Sequence, residues 1–152
     1  GVLPAACFIG GEVPRDRDER AAFMAAARAR LADCDLVFFD PDNGLEVKSR
    51  PAGSKHSAKY LYWHELQMAF AAGASVLVFQ HFPHVAREPY IAMRVQELRE
   101  HTGAQYLCSL RTANVLFLLA AHADHLTLLR AGVRRVVQTW GSLVTSAEHV
   151  AA

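Results

Sequence analysis

Apolar residues along the chain fall into two kinds of run. Short unbroken runs, bounded by glycine, aspartate or proline, read as strands buried on both faces, because alternation is expected only where one face is wet. Leu36–Phe39 (Leu-Val-Phe-Phe) and residues 75–79 (Ser-Val-Leu-Val-Phe) are of this kind. Residues 4–9, closed by Gly10 and Gly11, predict a further short strand. Residues 104–110 and 114–119, joined by Arg111-Thr112-Ala113, predict an antiparallel hairpin.

The other runs have helical spacing. Asp16 with Glu19 three residues on is a capping-box pattern. It opens a helix in which Phe23, Ala27 and Leu31 recur on one side, with Arg17, Arg20, Arg28 and Arg30 left for the wet face, ending near Asp33. Residues 59–72 predict the next helix, with Gly73 as its stop. Pro89 opens another, carrying Ile91, Val95 and Leu98 and closed by Gly103. Residues 123–131 form the last, stopped or kinked at Gly132, and residues 133–140 read as its continuation. Residues 48–58, polar with Pro51 and Gly53, predict a mobile loop.

Gly73, Gly103 and Gly132 recur at the period of strand-plus-helix units. The expected architecture is therefore a single α/β domain over residues 1–152. It is three-layer and Rossmann-like, with a mostly parallel sheet, a C-terminal antiparallel β-hairpin and helices on both faces. The length of 152 residues fits one core, and 52% hydrophobic with 20% charged residues is a globular balance. A formal charge of +1 argues against polyanion binding through net charge, while leaving a local basic patch open. Three cysteines with no CxxC spacing exclude a disulfide framework and a four-cysteine zinc site. No apolar stretch approaches the ~18 residues of a membrane span, and the first residues lack a basic signal-peptide start. The expectation is a cytoplasmic chain with no membrane partner, for which a homo-oligomer is compatible.

In an open α/β sheet, sites gather beyond the carboxyl ends of the strands. That rule selects Asp40, Asp42, Asn43, Glu46 and Lys48, then Gln80, His81 and His84, then Arg111. Three carboxylates within seven residues repel one another and call for a counter-cation. Oxygen ligands of this kind suit Mg²⁺ or Mn²⁺, so Asp40, Asp42 and Glu46 are the candidate metal ligands. Pro-Asp-Asn-Gly is also good β-turn chemistry, which needs no ligand. Pro41-Asp42 with Glu46-Val47-Lys48 further resembles the PD-(D/E)xK nuclease signature, although only three residues separate its acids, where the signature spans two paired strands. Asp40, Asp42, His81 and Lys48 are the candidate catalytic set, with His81 as general base and Lys48 steadying developing charge. Asn43, Lys55, His56, Gln80, His84 and Arg111 are candidate substrate contacts, with Lys59 beside the loop that carries Lys55 and His56. Pro83 keeps His81 and His84 from forming a helical metal pair.

The order strand, Asp-Pro-x-x, helix, strand, helix, hairpin over roughly residues 35–120 resembles the later part of class I methyltransferases. Residues 36–43, Leu-Val-Phe-Phe-Asp-Pro-Asp-Asn, resemble the strand-end motif of the amino-methylating members. That resemblance implies S-adenosylmethionine as cofactor and a substrate amine held by Asp40 and Asn43. The motif's second proline and aromatic are replaced by Asp42 and Asn43, and the glycine-rich cofactor loop is missing. Asp40 to Gly44 is also similar to an uncharacterised bacterial group with an Asp-Pro-Asp-Asn-Gly motif, which implies no activity. Three readings follow. The first is a metal-assisted, nuclease-like hydrolase of a phosphodiester, with a nucleotide or nucleic acid as partner. The second is a methyltransferase-like enzyme or fragment, and the third a non-catalytic Rossmann-like interaction domain.

Overall fold

The computed structural model describes residues 6–150. In chain order the elements are α1 (Arg17–Arg30), β1 (Leu36–Phe39), α2 (Trp63–Ala71), β2 (Ser75–His81), α3 (Arg87–Thr102), β3 (Tyr106–Arg111), β4 (Val115–Ala121), α4 (Leu126–Trp140) and β5 (Thr145–Val150). Single 3₁₀ turns lie at Ser57–Lys59, Ala123–His125 and Gly141–Leu143. The strand expected over residues 4–9 falls partly outside the described residues, and residues 6–9 form no strand.

The five strands make one mixed sheet in the order β1-β2-β4-β3-β5. Only β1 and β2 are parallel, and every other pair is antiparallel. The mostly parallel, three-layer Rossmann-like sheet expected from the sequence is therefore wrong. The cause is the hairpin. An alternating β–α reading seats β3 beside β2, but β4 folds back and takes that place. β4 is the more uniformly apolar of the two (Val-Leu-Phe-Leu-Leu-Ala-Ala), whereas β3 carries Ser109 and Arg111; both are internal strands, and both are largely buried. The other cause is β5, Thr-Ser-Ala-Glu-His-Val, which has no hydrophobic pattern and escapes a reading by periodicity. An edge strand with polar side chains is one way a sheet edge stays unattractive to other strands.

Alternate residues sort the sheet's faces. Val76, Val78, Leu107, Leu116 and Leu118 pack with Leu66, Phe70, Ile91, Val95 and Leu98 of α2 and α3. Tyr106, Cys108, Leu110, Leu119 and Ala121 point the other way, against Leu126, Leu129 and Val133 of α4. α2 and α3 thus cover one face and α4 the other.

Helix boundaries have local reasons. The Asp16 carboxylate accepts hydrogen bonds from the amides of Asp18 and Glu19, capping α1 as its sequence pattern indicates. α2 begins at Trp63 and not at 59, because Lys59 closes a 3₁₀ turn and residues 60–61 are held extended against the loop after β1. α4 runs unbroken through Gly132 to Trp140.

β5 is fastened by polar clips. Glu148 accepts from the Tyr106 hydroxyl (3.0 Å) and from Arg130 Nη2 (2.9 Å), and Arg130 also stacks over the Tyr106 ring. His149 Nε2 lies 2.9 Å from Ser109 Oγ, and its carbonyl accepts from Arg99 Nη2 at 2.7 Å. Partial burial, helped by the Arg99 guanidinium, holds the His149 pKa below its ordinary 6.5. Between that depressed value and 6.5 the unfolded chain binds the extra proton, so stability is complete above 6.5 and declines as pH falls through this window. His149→Gln is expected to shrink the loss of urea-measured stability between pH 8 and pH 5. An equal loss in both proteins would rule out this contribution.

Candidate functional site

The loop after β1 is built by backbone pairing. Gly44 N donates to Pro41 O (3.2 Å), closing the Pro-Asp-Asn-Gly turn. Asn43 N donates to Lys59 O (2.9 Å), Leu61 N to Gly44 O (3.0 Å) and Glu46 N to Leu61 O (2.8 Å). Leu45 and Leu61, opposite each other in a parallel bridge, both sink into the core, which is why the two segments meet.

Gln80 fixes this loop to β2. Its Oε1 accepts from Leu45 N (2.8 Å) and its Nε2 donates to His81 O (3.0 Å). The amide is buried and its bonds serve the fold, so Gln80 acts as a clamp, not the substrate contact expected from its place at a strand end. Gly44 lies against it with φ +89°, where an added Cβ would overlap the Gln80 amide.

A second hub lies between α1 and α2. Arg20, 4% exposed, forms a bidentate pair with Glu65, with Nε on Oε1 and Nη2 on Oε2 at 2.8 Å. It also donates to the carbonyls of Ser57 (3.2 Å) and Tyr60 (2.7 Å). Glu65 in turn accepts from Tyr62 N (3.0 Å), capping α2. Arg20 therefore does not belong to the wet face of its helix. Arg17 Nε on Ala52 O and Tyr62 Oη on Arg50 O, both 2.9 Å, pin the 48–58 loop further. That loop, expected to be mobile, is tied at Arg50, Ala52 and Ser57. Lys48, Lys55 and His56 sit on it exposed, and His56 takes a left-handed backbone (φ +67°).

Between α1, the end of β1 and residues 58–61 lies a cleft of about 550 Å³. Its walls include Glu12, Met24, Phe39, Asp40, Asp42 and Lys59. Lys59 Nζ pairs with Asp42 Oδ2 at 3.4 Å, both side chains largely exposed. Asp40 and Glu12 carry no hydrogen bond or ion pair from their side chains among the described residues. Arg20 also lines the cleft with its charge taken up by Glu65, so Glu12, Asp40 and Asp42 against Lys59 give the cleft an acidic bias.

The structure gathers only part of the expected site. Asp40 and Asp42 share the cleft, but Glu46 does not join them: its Oε2 accepts from Trp63 N (3.0 Å) at the start of α2. Among the described residues no group of three or more His, Cys, Asp or Glu side chains could hold a metal ion. His81 does not line the cleft; its ring packs edge-on against Phe79 at 4.7 Å, on the sheet face opposite Gln80. His84 borders a separate surface hollow with Phe82, Arg87 and Asn114. Arg111 pairs with Glu88 at 3.2 Å, and Asn43 and Lys48 are exposed outside the cleft wall. Glu12 and Lys59 complete the cleft. Glu12 lies in a connector with no pattern, whereas Lys59 was legible as a cation beside the polar loop.

Two other reactive-looking groups are structural. Ser75 Oγ lies 3.0 Å from His125 Nδ1, and His125 Nε2 lies 3.4 Å from Asp35 Oδ1. This has a triad's composition, but Ser75 is fully buried and its oxygen accepts from His122 N (3.0 Å), so the chain fastens the entry to α4 onto β1 and β2. Burial pushes the Cys108 thiol up to about 11, which leaves it protonated and inert.

Comparison with protein-family models, with curated proteins and with solved structures finds no match. No helix among the described residues is long and apolar enough to cross a membrane.

Proposed function

We propose that the chain is a divalent-cation-assisted phosphoester hydrolase of a nucleotide-sized substrate, working in the cleft beside β1. The observation that carries this reading is Asp40: a carboxylate at the end of a β-strand, without a partner among the described residues, opening into a cleft that also holds Glu12 and the Asp42–Lys59 pair. Mg²⁺ is commonly held by one or two carboxylates together with substrate phosphates, so a preformed three-ligand cage is not required. In this reading Asp40, with Glu12 lining the same cleft, would hold a cation that comes with the substrate, and Lys59 would face the phosphoryl oxygens. The cation would supply Lewis-acid activation of water for hydrolysis of the ester bond, so the reading gives no base role to His81, which lies outside the cleft.

The test is hydrolysis of bis(p-nitrophenyl) phosphate with Mg²⁺ or Mn²⁺. Asp40→Asn is expected to lower the rate about 100-fold, since it removes a charged ligand to the Lewis acid, and a chelator should abolish it. Metal-independent turnover, or full activity in Asp40→Asn, would sink the reading.

A further inference from the structure

The near-neutral total charge hides an uneven distribution. Between residues 48 and 59 stand four of the sixteen Lys and Arg residues and no Asp or Glu, so any excess there is positive. Lys59 pairs with Asp42 in the cleft. Lys48, Arg50 and Lys55 are exposed, and among the described residues their side chains make no ion pair or hydrogen bond. Nearby acids do not cancel them. Asp42 is taken by Lys59, and Glu46 accepts from Trp63 N. The hollow between this loop and the start of α1 is lined by Arg15 and Arg17 together with Asp16 and Asp18, so it adds no net charge. The loop also carries its cations on a fixed backbone. Its ties run through main-chain oxygens: Arg50 O accepts from Tyr62 Oη, Ala52 O from Arg17 Nε and Ser57 O from Arg20 Nη1. Arg50 N on Val47 O and Ser54 N on Pro51 O close two turns within it. None of its cationic side chains is spent on holding it in place.

We propose that residues 48–55 form a contact surface, outside the cleft, for the phosphodiester backbone of a nucleic-acid strand. The surface stands whether or not the cleft is a hydrolase. Three unpaired cations on one loop can each neutralise a phosphate and release its counterion. Because the loop is already tied down, little ordering opposes the contact. Residues 48–55, Lys-Ser-Arg-Pro-Ala-Gly-Ser-Lys, carry no large apolar or aromatic side chain. They therefore lack the anchors that hold a protein partner, whose interfaces are poor in lysine. They also lack rings on which bases stack. What remains is contact with phosphates, which positions a strand without reading its sequence.

The probe is a fluorescein-labelled oligothymidylate of twelve nucleotides, followed by anisotropy without divalent metal, so that the acidic cleft adds nothing. With three phosphates neutralised on a single strand, log K should fall against log salt with a slope of about −2, a loss of about 100-fold for a tenfold rise in NaCl. The variant Lys48→Gln, Arg50→Gln, Lys55→Gln should bind about tenfold or more weakly at low salt and lose most of that slope. Arg30→Gln, Arg134→Gln, Arg135→Gln removes the same charge from exposed positions on α1 and α4. It should stay within about threefold of wild type, since distant exposed charges are screened. No salt-dependent binding by the wild type would overturn the inference. Equal losses in the two triple variants would overturn it by reducing the effect to net charge. Displacement of the strand by poly-L-glutamate as readily as by unlabelled oligothymidylate would also overturn it, because the loop would then be a site for an acidic polypeptide. Should the loop variant fail to fold, Lys55→Gln alone should lower the slope by about 0.7. Loop-dependent binding without hydrolysis of bis(p-nitrophenyl) phosphate leaves this surface in place and removes the hydrolase reading. Hydrolysis without loop-dependent binding does the reverse.

Discussion

Replacing Arg20 with alanine is expected to destabilise the protein by about 3–5 kcal/mol, the usual consequence of removing one partner of a buried ion pair. The cost lies in what remains. Glu65 stays buried with a negative charge and a single backbone donor, Tyr62 N. The carbonyls of Ser57 and Tyr60 also lose their guanidinium donor. With typical domains stable by roughly 5–15 kcal/mol, a loss of this size brings the fold close to its limit. Urea unfolding of Arg20→Ala measures it directly. The double variant Arg20→Met, Glu65→Leu should recover much of the loss, because no unpaired charge remains. Part should persist, since Tyr62 N and the Tyr60 carbonyl still lack partners, while the Ser57 carbonyl keeps the Tyr60 N–H, each net hydrogen bond being worth about 1 kcal/mol. An Arg20→Ala protein within 1 kcal/mol of wild type, or a double variant no better than the single one, would show that the pair does not hold α1 to α2.

Gly44→Ala should cost about 3 kcal/mol or more, through two additive causes. At φ +89° an L-residue is strained by about 1–3 kcal/mol. The new methyl would also displace the Gln80 amide, leaving Leu45 N buried without its acceptor, a further ~1–3 kcal/mol. A cycle with Gln80→Ala separates these causes. Once the amide is gone the overlap vanishes, so the combined loss should be clearly less than the sum of the two single losses. Strict additivity would mean that strain alone makes this position a glycine.

The same residues explain which parts of the molecule were legible from sequence. β2, the β3–β4 hairpin and α3 announce themselves by local pattern; β1 does too, but as an edge strand with Leu36 and Phe38 exposed, not the strand buried on both faces that its unbroken apolar run predicts. The sheet order did not, since it depends on whether β3 or β4 gains more from the central seat, a contest between elements far apart in sequence. Arg20 shows the same limit at the level of one side chain. In a helical pattern an arginine reads as solvent-facing, and nothing near it reveals Glu65, forty-five residues on. Asp40 was found because strand ends are where open sheets place polar groups. Glu46 was grouped with it by proximity along the chain, yet a backbone amide seventeen residues away takes its carboxylate. Gln80 and His81, adjacent in sequence, diverge because side chains alternate across a strand.

The hold on α1 has a mechanical consequence for the cleft. Arg20 is the one buried side chain of that helix, while the main core centres on β2, β4, α2 and α3. One wall of the cleft is thus held by polar ties, Arg20 to Glu65 and Arg17 to the Ala52 carbonyl, and the opposite wall belongs to segments bound into the core. The attachment of that outer wall and the packing of the sheet are therefore set by different residues.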